Sequence, residues 1–595
     1  MRIPARLLVI AALLCSAAAW AQSGAKILRV TFQAAETGFD PVRIHDYYSG
    51  HVLEAVFDTL LTYDYLARPA KLVASAAAMP EISADARTYT FRIMKGIYFI
   101  DDPAFKGQKR ELTAQDFAYS IRRFFDPKNR SPYAFLFTGK IVGLDDLAAR
   151  AKAGARFDYD APVAGLQTPD RYTLVIRLNQ PDRDLPYVLA FPVTSAVARE
   201  AIEAYGEESP SHPVGSGPFY LKRYVRSSKI VLAANPGYRG KVWDFDPGDN
   251  VRFKQIAERM HGKRLPAIDG VEISIMEETQ SRWLAFQRGE TDIEYQLWEV
   301  APTYMADDGR LKPEFVRRGI QLDRTIDPEI TYLYFNMQDK VGDTPNPFSG
   351  FSKERIALRR AVAMSYNIDD QIRIIRKGQA VRAQYPIPPG VVGHDPKYVS
   401  SIPYDPRAAN ALLERYNYKK GPDGYRRQPN GGPLVLRYYS TPTERDRQFD
   451  ELFKRGLDAI GIRLEIVKDR FPEMLKMEKQ CRTMVRHAAW IADWPDGDNF
   501  MQLLYGPNTY ESNNACYKSL EYDRRYAKSR TLAPGPERDR LYHEMTRIME
   551  TDTVWLLADS RVRNSLQQPY VVGFTKHPVL HAEWLYLDLD PKPQY

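Results

Sequence analysis

The hydrophobic positions of the chain change period repeatedly. Ile27 to Phe32 is a short apolar run followed by the turn residues Gly38-Phe39-Asp40-Pro41, which predicts a strand. Val52, Leu53, Val56, Phe57, Leu60 and Leu61 recur three and four apart and predict a helix. Tyr89 to Ile93 and Tyr172 to Leu178 alternate instead, as half-buried strands do. Between them, Thr113 to Phe125 has helical spacing, with Thr113 at the N-cap and Asp116 three residues later, a capping-box-like start. The exchange continues with strands over 271–275, 331–336, 434–439 and 462–467, interleaved with helices over 281–288, 353–366 and 444–460. Gly289 and Gly461 close two of those helices. Such βα alternation predicts an α/β fold with mixed sheets. Breaks rich in Pro and Gly at 341–350, 386–396 and 421–433 are too short for linkers and read as loops of one compact body. Trp243 to Leu265, charged and rich in Asp, Gly and Lys, reads as a surface excursion.

Composition narrows the class. With 595 residues, 44% of them hydrophobic and 27% charged, the chain can bury a sizeable core. It contains no apolar run long enough for a polytopic membrane protein. Its first residues carry Arg2 and Arg6, the apolar stretch Leu7 to Leu14, and a small-residue end at Ala19-Trp20-Ala21. That order predicts a cleavable secretory leader over residues 1–21. The net charge of +8 loses two arginines with the leader, and the remaining basic residues are dispersed. No nucleic-acid partner is expected from such a pattern. Removing the leader also removes Cys15, leaving Cys481 and Cys516. In an exported protein an isolated pair of this kind predicts a disulfide.

An exported hydrolase is the natural competitor, and its motifs are missing. Gly215-Ser216-Gly217 has the wrong spacing for a nucleophile elbow. There is no Walker A, G-x-G-x-x-G or C-x-x-C element, and His543-Glu544 lacks the second histidine of a zincin. No catalytic residue, metal or cofactor is therefore assigned.

Several segments together carry a resemblance. Gly38-Phe39-Asp40-Pro41 leads into Val56-Phe57-Asp58-Thr59-Leu60-Leu61. Tyr89-Thr90-Phe91-Arg92-Ile93 and Lys95-Gly96-Ile97-Tyr98-Phe99 continue into Leu112-Thr113-Ala114-Gln115-Asp116-Phe117. Then come Val214-Gly215-Ser216-Gly217-Pro218-Phe219 and Tyr334-Phe335-Asn336 with the helix after it. In this order, from about Ile27 to Leu587, the chain resembles the family 5 solute-binding proteins of ABC importers, the group of periplasmic dipeptide- and oligopeptide-binding proteins. The resemblance implies a periplasmic-binding-protein fold of type II, α/β, with two lobes closing about a hinge and an extra small domain inserted. On that reading residues 22–60, 186–296 and 556–595 form lobe I, 61–185 the inserted domain and 297–555 the ligand-closing lobe II, with crossings near Gln296 and Trp555. It implies a monomeric, non-enzymatic protein of the periplasm that captures peptides and delivers them to an inner-membrane ABC permease. Relatives that bind an oligosaccharide, haem or a nickel complex keep a non-peptide solute open as the alternative.

The site follows from the same resemblance. In Trp490-Ile491-Ala492-Asp493-Trp494-Pro495-Asp496-Gly497-Asp498-Asn499-Phe500, Asp493 falls on the W-x-x-D carboxylate that pairs with a peptide's α-ammonium, and Trp490 on an aromatic that packs against ligand. A carboxylate suits that role, because charge-assisted bonds contribute roughly 1.5–3 kcal/mol each. Trp494 and Asn499 complete the candidate set, Asn499 resembling a loop brace. Arg447 resembles the arginine that clamps a dipeptide's carboxylate. It lies roughly 200° from Phe449 at about 100° per residue, off the buried face of its helix.

Overall fold

The computed structural model describes residues 24–44, 46–153 and 156–592, so the leader read over residues 1–21 lies outside the described residues. One sheet of twelve strands runs through the body, in the order 463–468, 435–440, 485–491, 329–335, 555–567, 293–295, 27–32, 270–275, 229–234, 219–225. The strands 321–326 and 380–382 also pair with 555–567. Ile27–Phe32 lies parallel to Gly270–Ile275 and to Ile293–Tyr295, and Val435–Ser440 parallel to Arg463–Lys468, so the sheet is mixed as predicted.

The thirteen-residue strand Trp555–Gln567 holds the two halves together. Its first residues pair with Tyr332–Tyr334 and with Ala380–Arg382, its last with Gln321–Ile326 and Ile293–Tyr295. Asp559, Ser560, Asn564 and Ser565 on it are fully buried. Their partners cross the junction: Asn564 donates to Gln379, and Arg563 pairs with Asp327 at 2.8 Å. Gln296, where the chain leaves Ile293–Tyr295, has a positive φ of 57° and donates its backbone N–H to Asn564.

A separate antiparallel sheet is formed by Glu81–Ile82, Thr88–Arg92, Thr173–Arg177 and Leu166–Asp170. Its alternation matches the sequence pattern, with Tyr89 and Phe91 buried and Arg92 exposed. The helix Ala114–Arg123 packs on it, and Asp116 accepts the backbone N–H of Thr113 as the capping pattern requires. The helix Glu444–Ile460 has the predicted bounds, with Thr443 as N-cap and Gly461 in the left-handed region at φ 72°.

Two expectations change. The helical spacing through Leu61 overshoots: the helix is Tyr47–Val56, and Leu61–Tyr63 is a strand. The backbone of Gly215-Ser216-Gly217 presses on the helix end, where Gly217 donates to the Val56 carbonyl at 2.9 Å. A Cβ on Gly215 would stand 1.9 Å from that carbonyl oxygen, so only glycine fits the turn. Nor is Trp243 to Leu265 a plain excursion. Trp243 is fully buried, the helix Val251–Met260 buries Phe253, Ile256 and Met260, and the strand pair 241–242 with 264–265 closes its base. Charge dominates its composition, but four buried apolar side chains, Trp243, Phe253, Ile256 and Met260, hold it down.

Candidate functional site

The strand Val485–Ile491 lies between Glu329–Phe335 and Val435–Ser440, and its chain continues directly into the acidic loop. Trp490 stands opposite Ile330 near the strand's end. Past it, Ala492 donates to the Pro328 carbonyl, and Pro495 and Gly497 both bond to the backbone of Val392. Loop and neighbouring chain are thus stitched together by backbone hydrogen bonds.

Asn499 organises that turn. Fully buried, it accepts the Trp490 indole N–H at 2.9 Å and the Asp493 backbone N–H at 3.0 Å on one oxygen. Its amide N–H donates to the Asp493 carboxylate at 3.1 Å. The structure therefore brings Trp490, Asp493 and Asn499 together, with Asn499 as the brace. That amide is the only hydrogen-bond donor to the Asp493 carboxylate among the described residues. No cation offsets its burial, which pushes its pKa up to about 6, against the smaller lowering effect of Asn499.

Asp493 lines two cavities. The larger, about 480 Å³, also takes in Trp490, Trp494, Phe135, Tyr505, Asp184 and Lys479. Trp494 is buried there, and its indole N–H, withdrawn from the cavity surface, has no hydrogen-bond partner among the described residues. The smaller, about 330 Å³, is lined by Glu54, Tyr63, Phe191, Tyr238, Lys241 and Tyr586 among others. The walls come from segments far apart in sequence. Tyr133 faces the acidic loop; its hydroxyl is pushed above the usual phenol range by burial and then by the Asp493 and Asp46 charges.

The other aspartates of the loop are committed elsewhere. Asp496 accepts from Arg538 at 2.7 Å and from Tyr542 at 3.3 Å. Asp498 lies beside Asp184, whose carboxyl is driven well above its usual range by burial and then by the charges of Asp498, Asp496 and Asp182. Asp182 takes Arg530 at 2.6 Å and Lys140 at 3.1 Å, and Arg183 donates to the Thr531 carbonyl. These contacts join the 182–184 segment to the loop's side of the cleft. Spacing in the sequence gave no signal of them, since the partners lie between 42 and 348 residues apart.

Arg447 is not brought to this place. It stands on the solvent face of its helix, paired with Glu444 at 2.7 Å and with Glu451 at 3.9 Å, and lines neither cavity. Helical geometry turned it off the buried face, as the angle indicated, but that opposite face looks to water. Cys481 and Cys516 form the predicted disulfide, with Cα atoms 6.1 Å apart. The bridge ties the end of Phe471–Lys479 to the loop carrying Asn514, both of which border the larger cavity.

The family model for bacterial extracellular solute-binding proteins, family 5 Middle, matches residues 71–512. Di/tripeptide-binding protein 2 of Pseudomonas aeruginosa is 28% identical over 97% of this chain and 97% of its own length. The dipeptide-binding protein of Escherichia coli is 25% identical over 74% of this chain and 72% of its own. Among solved structures, the periplasmic binding protein DppA of Helicobacter pylori in complex with the peptide STSA superposes with a TM-score of 0.71 at 21% identity, covering 96% of this chain and all of that one. AgaA of A. tumefaciens R10 in complex with agropinic acid gives 0.70 at 18% identity, covering 95% and 99%. Those likenesses show the fold: a mixed α/β, multi-domain body of the type II periplasmic-binding-protein kind.

Proposed function

The chain belongs to the family 5 bacterial extracellular solute-binding proteins, and on that premise we propose that it captures short peptides in the periplasm and hands them to an inner-membrane ABC permease. It does so without catalysis. One observation carries the reading: Asp493 is a half-buried carboxylate with no cation at ion-pair distance among the described residues, held in place by Asn499 at the wall of two cavities. Such a group is completed by a ligand ammonium. The curated relatives named for di- and tripeptides point to the same ligand class.

Trp490, locked by Asn499, and Trp494 form the aromatic wall of the larger cavity, against which the peptide packs. In this reading residues 22–60, 186–296 and 556–595 make one lobe, 61–185 the small inserted domain and 297–555 the lobe that closes. The continuous strand Trp555–Gln567 between the halves of the sheet supports that division, as does the self-contained sheet within 81–177.

Calorimetry with matched free and N-acetylated di- and tripeptides tests it. Acetylation removes the ammonium and should weaken binding roughly 10–100-fold, the equivalent of one charge-assisted bond. Equal affinities would refute the ammonium role of Asp493.

A further inference from the structure

A third cleft, of about 790 Å³, shares no lining residue with the two cavities at Asp493. One bank is the 301–312 segment together with Arg324 of the strand Gln321–Ile326, and the other is the 369–379 segment. The banks belong to separate cores. Tyr304 and Phe315 pack with Trp283 in one apolar cluster, whereas Ile368 and Ile375 pack with Leu333 and Phe335 in another. Between them, Ile326 stands opposite Val562 and Ala380 opposite Arg561, so two strands meet end to end along one edge of Trp555–Gln567.

Seven charged side chains line this cleft, and internal pairing accounts for three of them. Arg373 is held by Asp370 at 2.7 Å, Asp369 by Arg382 at 3.3 Å and Asp308 by Arg310 at 3.8 Å. Lys312, Arg324, Lys377 and Asp307 remain, none with an opposite charge at ion-pair distance among the described residues. The balance is two positive charges.

Arg324 is nonetheless held in place. It donates from Nε to Asn564 at 3.2 Å, from Nη2 to Gln379 at 3.2 Å and from Nη1 to the Gly309 carbonyl at 3.4 Å. Gly309, at φ 79°, leaves room for it: a Cβ there would stand 2.2 Å from Nη1 and push the guanidinium aside. All three acceptors are neutral. A guanidinium has five N–H donors, so one is left on each terminal nitrogen, enough for two bonds to one oxyanion. Buried Gln379 ties this arginine to the other bank, because its amide also donates to the Lys377 carbonyl at 3.1 Å. Lys377 is exposed and sits in the left-handed region at φ 52°, which L side chains seldom adopt. Lys312 spends one donor on the Pro302 carbonyl at 2.7 Å and keeps two.

We propose that this cleft is a second ligand site, which takes a phosphate group between Arg324 and Lys312 on one bank and Lys377 on the other. A phosphate carries about −1.5 to −2 charge at neutral pH and offers oxygens in several directions, which matches two net positive charges on opposite banks. A carboxylate would leave one of those charges uncompensated. The cleft is wide enough for an organic group on the phosphate as well.

The test is calorimetry on the full mature protein in about 0.15 M chloride, which screens unspecific surface attraction. The probes are inorganic phosphate, glycerol phosphate and, as control, acetate. Phosphate should bind at one site per chain, with acetate at least about tenfold weaker. Arg324→Gln and Lys377→Gln should each weaken phosphate by about tenfold or more, and Lys377→Arg should keep it. Phosphate should also raise the unfolding temperature of the parent and of Lys377→Arg, but not of the two glutamine variants. Tighter binding of the ester assigns the site to an organic phosphate, and tighter binding of the inorganic ion to free phosphate. Saturating dialanine should leave phosphate affinity unchanged, because the sites share no residue. Glutamine variants that bind like the parent overturn the proposal, as does equal affinity for acetate or no binding of either phosphate. Displacement of phosphate by dialanine overturns it too, by placing the anion at the peptide site. A protein that binds phosphate as described but no peptide sinks the peptide reading and leaves this site standing.

Discussion

Asp493 and Asp496 stand three residues apart on one loop, the first half-buried at a cavity wall and the second fully buried, and they are employed in opposite ways. Asp496 is fully buried against Arg538, itself 3% exposed, and also accepts from Tyr542 and the Asp498 backbone. Its charge is neutralised within the protein. Asp493 has one neutral amide for a partner and a pKa raised to about 6 by burial. A protein gains nothing in stability by enclosing a carboxylate that way. The pair shows how the same residue type, on the same turn, is either a strut or a receptor, and that the presence of an internal counter-charge decides which.

The largest effect should fall on the strut. Asp496→Ala leaves Arg538 buried without its partner, which costs about 3–5 kcal/mol. Urea unfolding followed by tryptophan fluorescence should show that loss, and Asp493→Ala should show none. If the two variants lose stability equally, the distinction between them fails.

The receptor should reveal itself through pH. The folded pKa of Asp493, about 6, lies above that of a free aspartate, about 3.9, so the native state binds the extra proton between those values. The stability due to this group is therefore fully present below about pH 4 and is lost as pH rises through about 6. Above that, the ligand-free protein carries a penalty of about 1–3 kcal/mol, and Asp493→Asn should be more stable than the parent by that amount at pH 7.5 and equal to it at pH 4. Peptide affinity should run the other way, falling by up to about tenfold per pH unit below pH 6 as the carboxylate is protonated. A flat pH profile in both measurements would mean that the charge of Asp493 is compensated after all.

Much of this was legible in the chain itself, and the exceptions have physical reasons. The helix Glu444–Ile460 was bounded to the residue because its helical spacing stops at a terminal glycine, Gly461; the Thr443 cap at its start is an addition from the structure. The disulfide followed from compartment and count. The strand Trp555–Gln567, which organises the whole sheet, was not apparent, since Asp559, Ser560, Asn564 and Ser565 break any apolar pattern while lying fully buried. Their partners reach them from other segments, and a pattern within one segment does not record that. Asp493 and Trp490 were legible because a tight turn of Pro495 and Gly497 keeps the functional groups within ten residues of each other.

Arg447 offers the smallest effect and a check on the rest. Its guanidinium and the Glu444 carboxylate are about equally exposed, 64% and 65%, and such pairs contribute about 0–1 kcal/mol. Arg447→Ala should therefore leave peptide affinity within about twofold and unfolding free energy within about 0.5 kcal/mol. Side-chain entropy released by the truncation offsets most of the lost attraction, and Glu444 is left in water rather than stranded. A tenfold loss of affinity for free but not amidated peptides would return the carboxylate clamp to the start of this helix.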